Sequence, residues 1–266
     1  MQEKATYVAS FSGGKDSLAM VLWLIENKKP LDYVVFYDTG MEFNAIYHNI
    51  DRVQKLCEEN SITFVRLQPK NSFLYDMFER PVQHKDGSVG YGYSWCGGTC
   101  RWGTTAKNKS ISDFKKNLSG KVFDYVGIAL DEPHRYNTNE YPGRILPLAH
   151  EAKMTEAECL KYCRDRGYHW REATTATESG FVDLYDILDR VSCWCCANKN
   201  LKELRNMNTY LPVYWERLKH MQSRTDRPMK KYRNKKYGTY GNVFELDRIF
   251  SEESKNLSGK EGRVKR

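Results

Sequence analysis

The stretch "YVASFSGGKDSLAMVLWLIEN", residues 7–27, decides the fold. Up to Phe11 it is a short apolar run of β-forming residues, and beyond Ser17 it becomes a helix pattern that is apolar on nearly every side. Two glycines stand between them. A strand, a glycine turn and a helix in that order leave free N–H groups at the helix start, where the helix dipole favours an anion. Gly13 and Gly14 allow close backbone approach, Lys15 adds a full positive charge, and Ser12 and Ser17 add hydroxyl donors. Asp16 or Ser17 is the expected N-cap. The spacing is neither G-x-x-x-x-G-K-[ST] nor G-x-G-x-x-G, which excludes the two common phosphate loops. The bland alternative is a glycine turn with an incidental lysine.

The same alternation continues along the chain. "DYVVFYDTG" is a second apolar run ending in the turn residues Asp38, Thr39 and Gly40. "NAIYHNIDRVQKLCEEN" has helical spacing at Ile46, Ile50 and Val53, "ITFVRL" is a third strand, and "FDYVGIAL" a fourth. Strands and helices of these lengths predict an α/β fold, a doubly wound parallel sheet with helices on both faces. "MTEAECLKYCRDRGY" predicts a further helix capped at Thr155. The expected division is a nucleotide-binding α/β domain over 1–190 and a Cys-containing, helical and basic extension over 191–266, with 251–266 a mobile tail.

The 266 residues suffice for one large core, or for one core with a small appended module. A formal net charge of +8 favours anionic partners, as a merely solvated basic surface would. No apolar run approaches the ~20 residues of a membrane span. "MQEKATYVASF" runs into the first motif without a signal-like segment, so the expected location is the cytoplasm. There, eight cysteines argue for metal binding, redox chemistry or burial rather than disulfides.

"SGGKDS" in this strand–loop–helix setting resembles the signature of the PP-loop ATP pyrophosphatases, the adenine nucleotide α-hydrolase-like superfamily. "VVFYDTGMEF", "YVGIALDEPHR" and "ILPLAHEAKMTEAECLKYCRDRGY" resemble segments of its phosphoadenosine phosphosulfate (PAPS) reductase branch, so the resemblance covers roughly residues 5–212. It implies ATP with Mg²⁺, cleavage beside the α-phosphate, and release of pyrophosphate. The nucleotide site it implies is Ser10, Ser12, Gly13, Gly14, Lys15, Asp16 and Ser17, with Asp38, Thr39 and Gly40 near the adenosine. Lys15, Asp16 and Arg135 are its catalytic candidates. Asp131, Glu132 and Arg135 match the family's segment after the fourth strand, whereas Ala129 stands where the family has arginine. The reductases also carry a reactive cysteine in a C-terminal "ECG" motif. No cysteine follows Cys196 here, so the expected activity departs from sulfonate reduction.

Two cysteine groups stand out, Cys96 and Cys100 in "WCGGTC" and Cys193, Cys195 and Cys196 in "SCWCC". Each holds a closely spaced pair, and two such pairs can converge on one tetrahedral thiolate site. Cys96, Cys100, Cys193 and Cys196 are the expected ligands, with Cys195 an alternative ligand or a spare thiol. Zinc and a [4Fe–4S] cluster both accept four thiolates. Adenylyl-sulfate reductases, which have a similar cysteine order, favour [4Fe–4S], with Zn²⁺ the alternative. Cys159 and Cys163, four apart on a helix, read as core residues.

Residues 217–236 crowd Arg217, Lys219, Arg224, Arg227, Lys230, Lys231, Arg233, Lys235 and Lys236 around Tyr232. Cations interleaved with aromatics are the footprint of a nucleic-acid surface, or else of a solvated basic segment. The expected function is ATP-dependent adenylation of an acceptor, a nucleic acid, followed by sulfur transfer, with a sulfur-donor protein as a further partner and no membrane. The rivals are sulfonucleotide reduction and a non-catalytic, metal-stapled binding module.

Overall fold

A computed structural model describes residues 5–136 and 142–264, with side chains to residue 255. In chain order the elements are β1 (Ala5–Phe11), α1 (Lys15–Glu26), β2 (Tyr33–Tyr37), α2 (Asn44–Glu59), β3 (Thr63–Leu67), α3 (Phe73–Phe78), β4 (Pro81–Gln83), β5 (Val89–Tyr91), α4 (Lys107–Lys116), β6 (Lys121–Val126), β7 (Arg144–Ile145) and α5 (Glu156–Asp165). They continue with β8 (Arg171–Ala173), β9 (Phe181–Asp183), α6 (Leu184–Ile187), α7 (Leu201–Tyr210), α8 (Pro212–Gln222), β10 (Tyr232–Asn234), β11 (Gly238–Tyr240) and α9 (Val243–Val264).

The chain forms two compact units, and both are discontinuous. The first takes residues 1–70 and 102–170, the second 71–101 and 171–266. The boundary expected at 190 therefore falls at 170, and 71–101 is an insertion from the first unit into the second. Short-range pattern could not show this, because only distant contacts decide to which core a segment belongs. Residues 251–264, expected as a mobile tail, continue helix α9, and 265–266 lie outside the described residues.

The first unit holds a five-stranded sheet in the order β3-β2-β1-β6-β7, and all its neighbouring strands are parallel. Alternate side chains of the central strands face α4. Val8 and Val35 pack with Ile111 in one cluster that also takes Val65 and Phe114. Right-handed crossovers put α1 and α2 on the opposite face, because the chain reverses its direction across the sheet only after β3. Helix α1 is buried from Leu18 to Leu22, as its all-round apolar sequence requires, and it packs on α5. Arg166, just beyond α5, and Tyr162 within it hold Glu26 at the far end of α1. Helix α5 begins with the expected capping box between Thr155 and Glu158. The N-cap of α1 is Gly14, not Asp16 or Ser17, and no side chain caps it.

The second unit is helical, α7 packing on α8 and α8 on α9, with three small antiparallel hairpins, β4–β5, β8–β9 and β10–β11. Strands of three residues are too short to leave a periodic signal, so sequence reading passed over all three.

Candidate functional site

The loop of residues 12–17 follows the central strand and opens α1, at the carboxyl end of the sheet, where open α/β sheets take their ligands. It is shaped from below. Gly13 sits at φ +76°, and a Cβ there would stand 2.8 Å from Ile46 Cγ2. The fully buried Trp170 donates its indole N–H to the Gly13 carbonyl at 2.8 Å. Ser17 closes the turn: its Oγ accepts from the Ser12 amide at 3.1 Å, lies 3.0 Å from Ser12 Oγ, and is 3.0 Å from the Gly14 carbonyl. Ser12 is exposed, and Ser17 is buried under it.

Lys15 is buried, yet its ammonium is charged and paired. It donates to Asp16 at 2.8 and 3.0 Å and to Glu156, the first residue of α5, at 2.8 Å. Burial opposes its charge, but Asp16 and Glu156 outweigh burial and hold its pKa above the ordinary lysine value. Asp16 is raised as well, which for a carboxylate disfavours the charged form. Burial raises it, Lys15 lowers it, and the nearby charges of Glu156 and Glu132 leave it above the usual range. The two shifts together describe one lysine shared among more negative charge than it can neutralise.

Gly127, just after β6, touches this loop from the neighbouring strand. A Cβ there would meet the Asp16 carbonyl oxygen and the Ser17 N and Cα at 3.0 Å each. Beyond it, Ala129 is fully buried and its carbonyl accepts from the Tyr136 hydroxyl at 3.0 Å. Arg135 donates from Nη1 to both Glu132 oxygens at 2.7 and 2.6 Å, and Asp131 accepts from the Glu156 amide at 2.9 Å.

Asp38 is a latch. It accepts from the Gly40 amide at 2.8 Å, the Tyr47 hydroxyl at 2.7 Å and Arg66 at 3.0 and 2.7 Å. Burial raises its pKa, but these donors outweigh burial and hold it below the usual carboxylate value. Gly40, at φ +75°, faces open space, and Thr39 Oγ donates to Glu42 at 3.1 Å. Ser10 lies on β1, just before the loop. Its hydroxyl donates to Asp124 at 3.1 Å on strand β6, and Asp124 in turn accepts from Lys115 of α4 at 2.6 Å.

The candidate ligand cysteines all lie in the second unit. Asn198 clasps their two loops, accepting from the Gly98 amide at 2.7 Å and donating to the Gly98 carbonyl at 2.8 Å. Cys96 is pushed up by burial and by Cys100, against the charges of Arg101 and Arg227. Trp95, also buried, has an indole N–H without a partner. Among the described residues, no three His, Cys, Asp or Glu side chains are gathered as a metal-holding group. The donor chemistry fits a soft metal and the loops are joined, but the thiols are not converged. Sequence reading missed Lys199, which is fully buried; burial lowers its pKa against the opposing charges of Cys196, Glu203, Cys193 and Cys195. The only sequence signal was its position in "CCANK".

Cys159 and Cys163 are buried under the loop, Cys163 Sγ lying 3.4 Å from the Lys15 carbonyl. Burial pushes Cys159 up to about 12 and raises Cys163 as well, so both remain thiols.

The central strand of the parallel sheet runs through Ser12, Gly13, Gly14 and Lys15 into helix α1, the strand–loop–helix arrangement in which the sequence resembles the PP-loop domains. Residues 6–84 match the phosphoadenosine phosphosulfate reductase domain, a nucleotide-binding, sulfonucleotide-related domain of that class. An uncharacterized protein of Methanocaldococcus jannaschii is 27% identical over 222 residues, covering 80% of this chain and 41% of that protein. The chain thus spans about two fifths of the curated relative it matches. No helix among the described residues is long and apolar enough to cross a membrane.

Proposed function

We propose that the protein is an ATP-dependent PP-loop enzyme that adenylates an acceptor, releases pyrophosphate, and so prepares that acceptor for sulfur. The observation that carries this reading is the buried, charged Lys15 at the mouth of the glycine loop. An acceptor oxygen attacks the α-phosphorus, the bond to the bridging β-phosphate oxygen breaks, and pyrophosphate leaves toward Lys15 and the loop amides. Charge grows on that leaving group in the transition state, where a fixed cation acts most strongly. Asp16 would hold the Mg²⁺ that accompanies ATP, which would neutralise phosphate charge there, and Arg135 would act as a second cation only on release from Glu132, with which it pairs. A sulfur nucleophile from a donor protein then displaces AMP, forming the bond to sulfur as the acceptor–oxygen bond breaks.

Cys96, Cys100, Cys193 and Cys196 are the proposed holders of a [4Fe–4S] cluster or Zn²⁺, with Cys195 as alternative ligand or spare thiol. Either centre, if bound there, would supply a thiolate-held Lewis acid. The support is the Asn198 clasp between the two loops and the buried, unpartnered Trp95 N–H beside Cys96. The proposal predicts that purified protein releases pyrophosphate from ATP only with an added nucleic acid. Anaerobic protein should carry iron and sulfide, or one zinc, and lose it on Cys96→Ser. Sulfite release from phosphoadenylyl sulfate with thioredoxin, and no acceptor-dependent pyrophosphate, would instead establish reduction, the reading that the matched domain favours.

Nucleic acid is the proposed acceptor, and the basic segment its surface. Several of its cations are already committed: Arg217 lies over Tyr214 at 5.2 Å, Lys219 pairs with Glu216, Arg224 with Glu79, and Lys230 donates to the Lys199 carbonyl at 2.8 Å. Tyr232 and Tyr240 stack on each other within the hairpin, so they are not platforms for bases. Lys231, Arg233, Lys235 and Lys236 are exposed around that hairpin. Replacing these four by alanine should flatten the slope of log K against log salt by up to about 3, as expected for four phosphate contacts to a single strand. Binding of labelled tRNA and single-stranded DNA across a salt series measures it. An unchanged slope places the nucleic acid elsewhere.

A further inference from the structure

Resting on the reading of the loop as a nucleotide site, we propose that Glu156 is a counter-ion gate that occupies Lys15 until phosphate displaces it. The distances support a specific pairing. Lys15 Nζ lies 2.8 Å from Glu156 Oε2 and 2.8 Å from Asp16 Oδ1, so at least two of its three protons are spent on carboxylates. Asp16 adjoins Lys15 in sequence and is mostly buried, so it has little freedom to leave. Glu156 differs on both counts. Its side chain is 43% exposed, while its backbone is fixed by the hydrogen bond its amide donates to the Asp131 carboxylate and by the capping box of α5. The carboxylate can therefore swing into water at small cost while helix α5 stays in place.

The local charge makes the swing necessary. Lys15 contributes one positive charge against the two carboxylates, and neighbouring Glu132 is already matched by Arg135. A triphosphate arriving without a metal meets a net negative loop. Removing the Glu156 charge while keeping its hydrogen bond weakens its hold on Lys15, so that phosphate takes the lysine more readily. Glu156→Gln is then expected to bind Mg²⁺-free ATP roughly tenfold more tightly, the scale of one half-exposed unit charge acting at a few ångströms. The gain for Mg²⁺-ATP is expected to be smaller, because the metal already cancels part of the repulsion.

Titration calorimetry on wild type, Glu156→Gln, Lys15→Ala and the double variant, each with ATP and with Mg²⁺-ATP, tests this. The gate predicts tighter binding in Glu156→Gln and loss of that gain in the Lys15→Ala background, because two residues that act through one contact are not additive. A gain that persists without Lys15 makes Glu156 a general repulsive charge and overturns the gate. Unchanged or weaker binding in Glu156→Gln, with wild type binding ATP, overturns it as well. Wild type that binds no adenosine nucleotide removes the nucleotide reading itself, and the gate with it.

Discussion

Replacing Lys15 by alanine should lower pyrophosphate release by two to three orders of magnitude, the loss typical of removing one fixed group that stabilises transition-state charge. The geometry leaves no substitute. Lys15 is the cation of the loop, and Arg135, the other catalytic candidate, has its guanidinium committed to Glu132. Because the lysine acts on a leaving group whose charge grows during reaction, the rate should fall more than ATP affinity. The substitution also strands Asp16, already raised by burial, beside Glu156 without their common counter-ion. Some loss of thermal stability should therefore accompany the loss of rate, and melting curves separate the two. Lys15→Arg keeps the charge but places it in a planar fork, so it should restore stability before activity. Wild-type rates in Lys15→Ala would leave the loop as a bare turn and remove the adenylation proposal.

The loop was legible because everything that defines it lies within a dozen residues: an apolar strand, two glycines, a lysine and a buried helix. The parallel sheet was legible for the same local reason, repeated. What tunes the loop was not. Glu156 reaches Lys15 from 141 positions away, and Trp170 reaches the Gly13 carbonyl from 157. Neither position carries a local mark of that role. The Asp38 latch was half visible: the turn residues announced a loop, but the Arg66 and Tyr47 that hold its carboxylate sit on other elements. Sequence adjacency to the loop says nothing of strand pleat, so the partner of Ser10 was not legible. Facing Asp124, it belongs to a buried polar link toward α4. In the second unit the cysteine spacing was plain, whereas the burial of Lys199 among those cysteines came only from how the loop folds.

Gly127→Val should cost the loop its nucleotide, and comparing glycines shows why this one matters. Gly40→Ala places a Cβ in open space, so its expense is backbone strain alone, about 1–2 kcal/mol for a left-handed residue. Gly13→Ala adds to that strain a contact of 2.8 Å with Ile46 Cγ2, the branch methyl of a buried helix residue with a stiff χ1, so it too should be costly. Gly127 has no conformational need for glycine that the structure shows. Its difficulty is that a Cβ meets three backbone atoms of Asp16 and Ser17 at 3.0 Å, and backbone at the start of a buried helix cannot turn aside. Alanine must push the strand end and the loop apart by a few tenths of an ångström. Valine must push further, at the 1–3 kcal/mol typical of overpacking. The loop's hydrogen bonds among Ser12, Gly14 and Ser17 are all near 3.0 Å, so a displacement of that size breaks the turn that aims the amides. ATP affinity should fall by roughly 5- to 150-fold in Gly127→Val, the factor that about 1–3 kcal/mol of overpacking corresponds to, and far less in Gly127→Ala. Both proteins should still melt cooperatively, because the sheet register from Ala5 to Ser10 against β6 lies before the contact. If Gly127→Val binds ATP as tightly as wild type, the strand end yields to the loop, and the loop's shape is set from α2 and Trp170 alone.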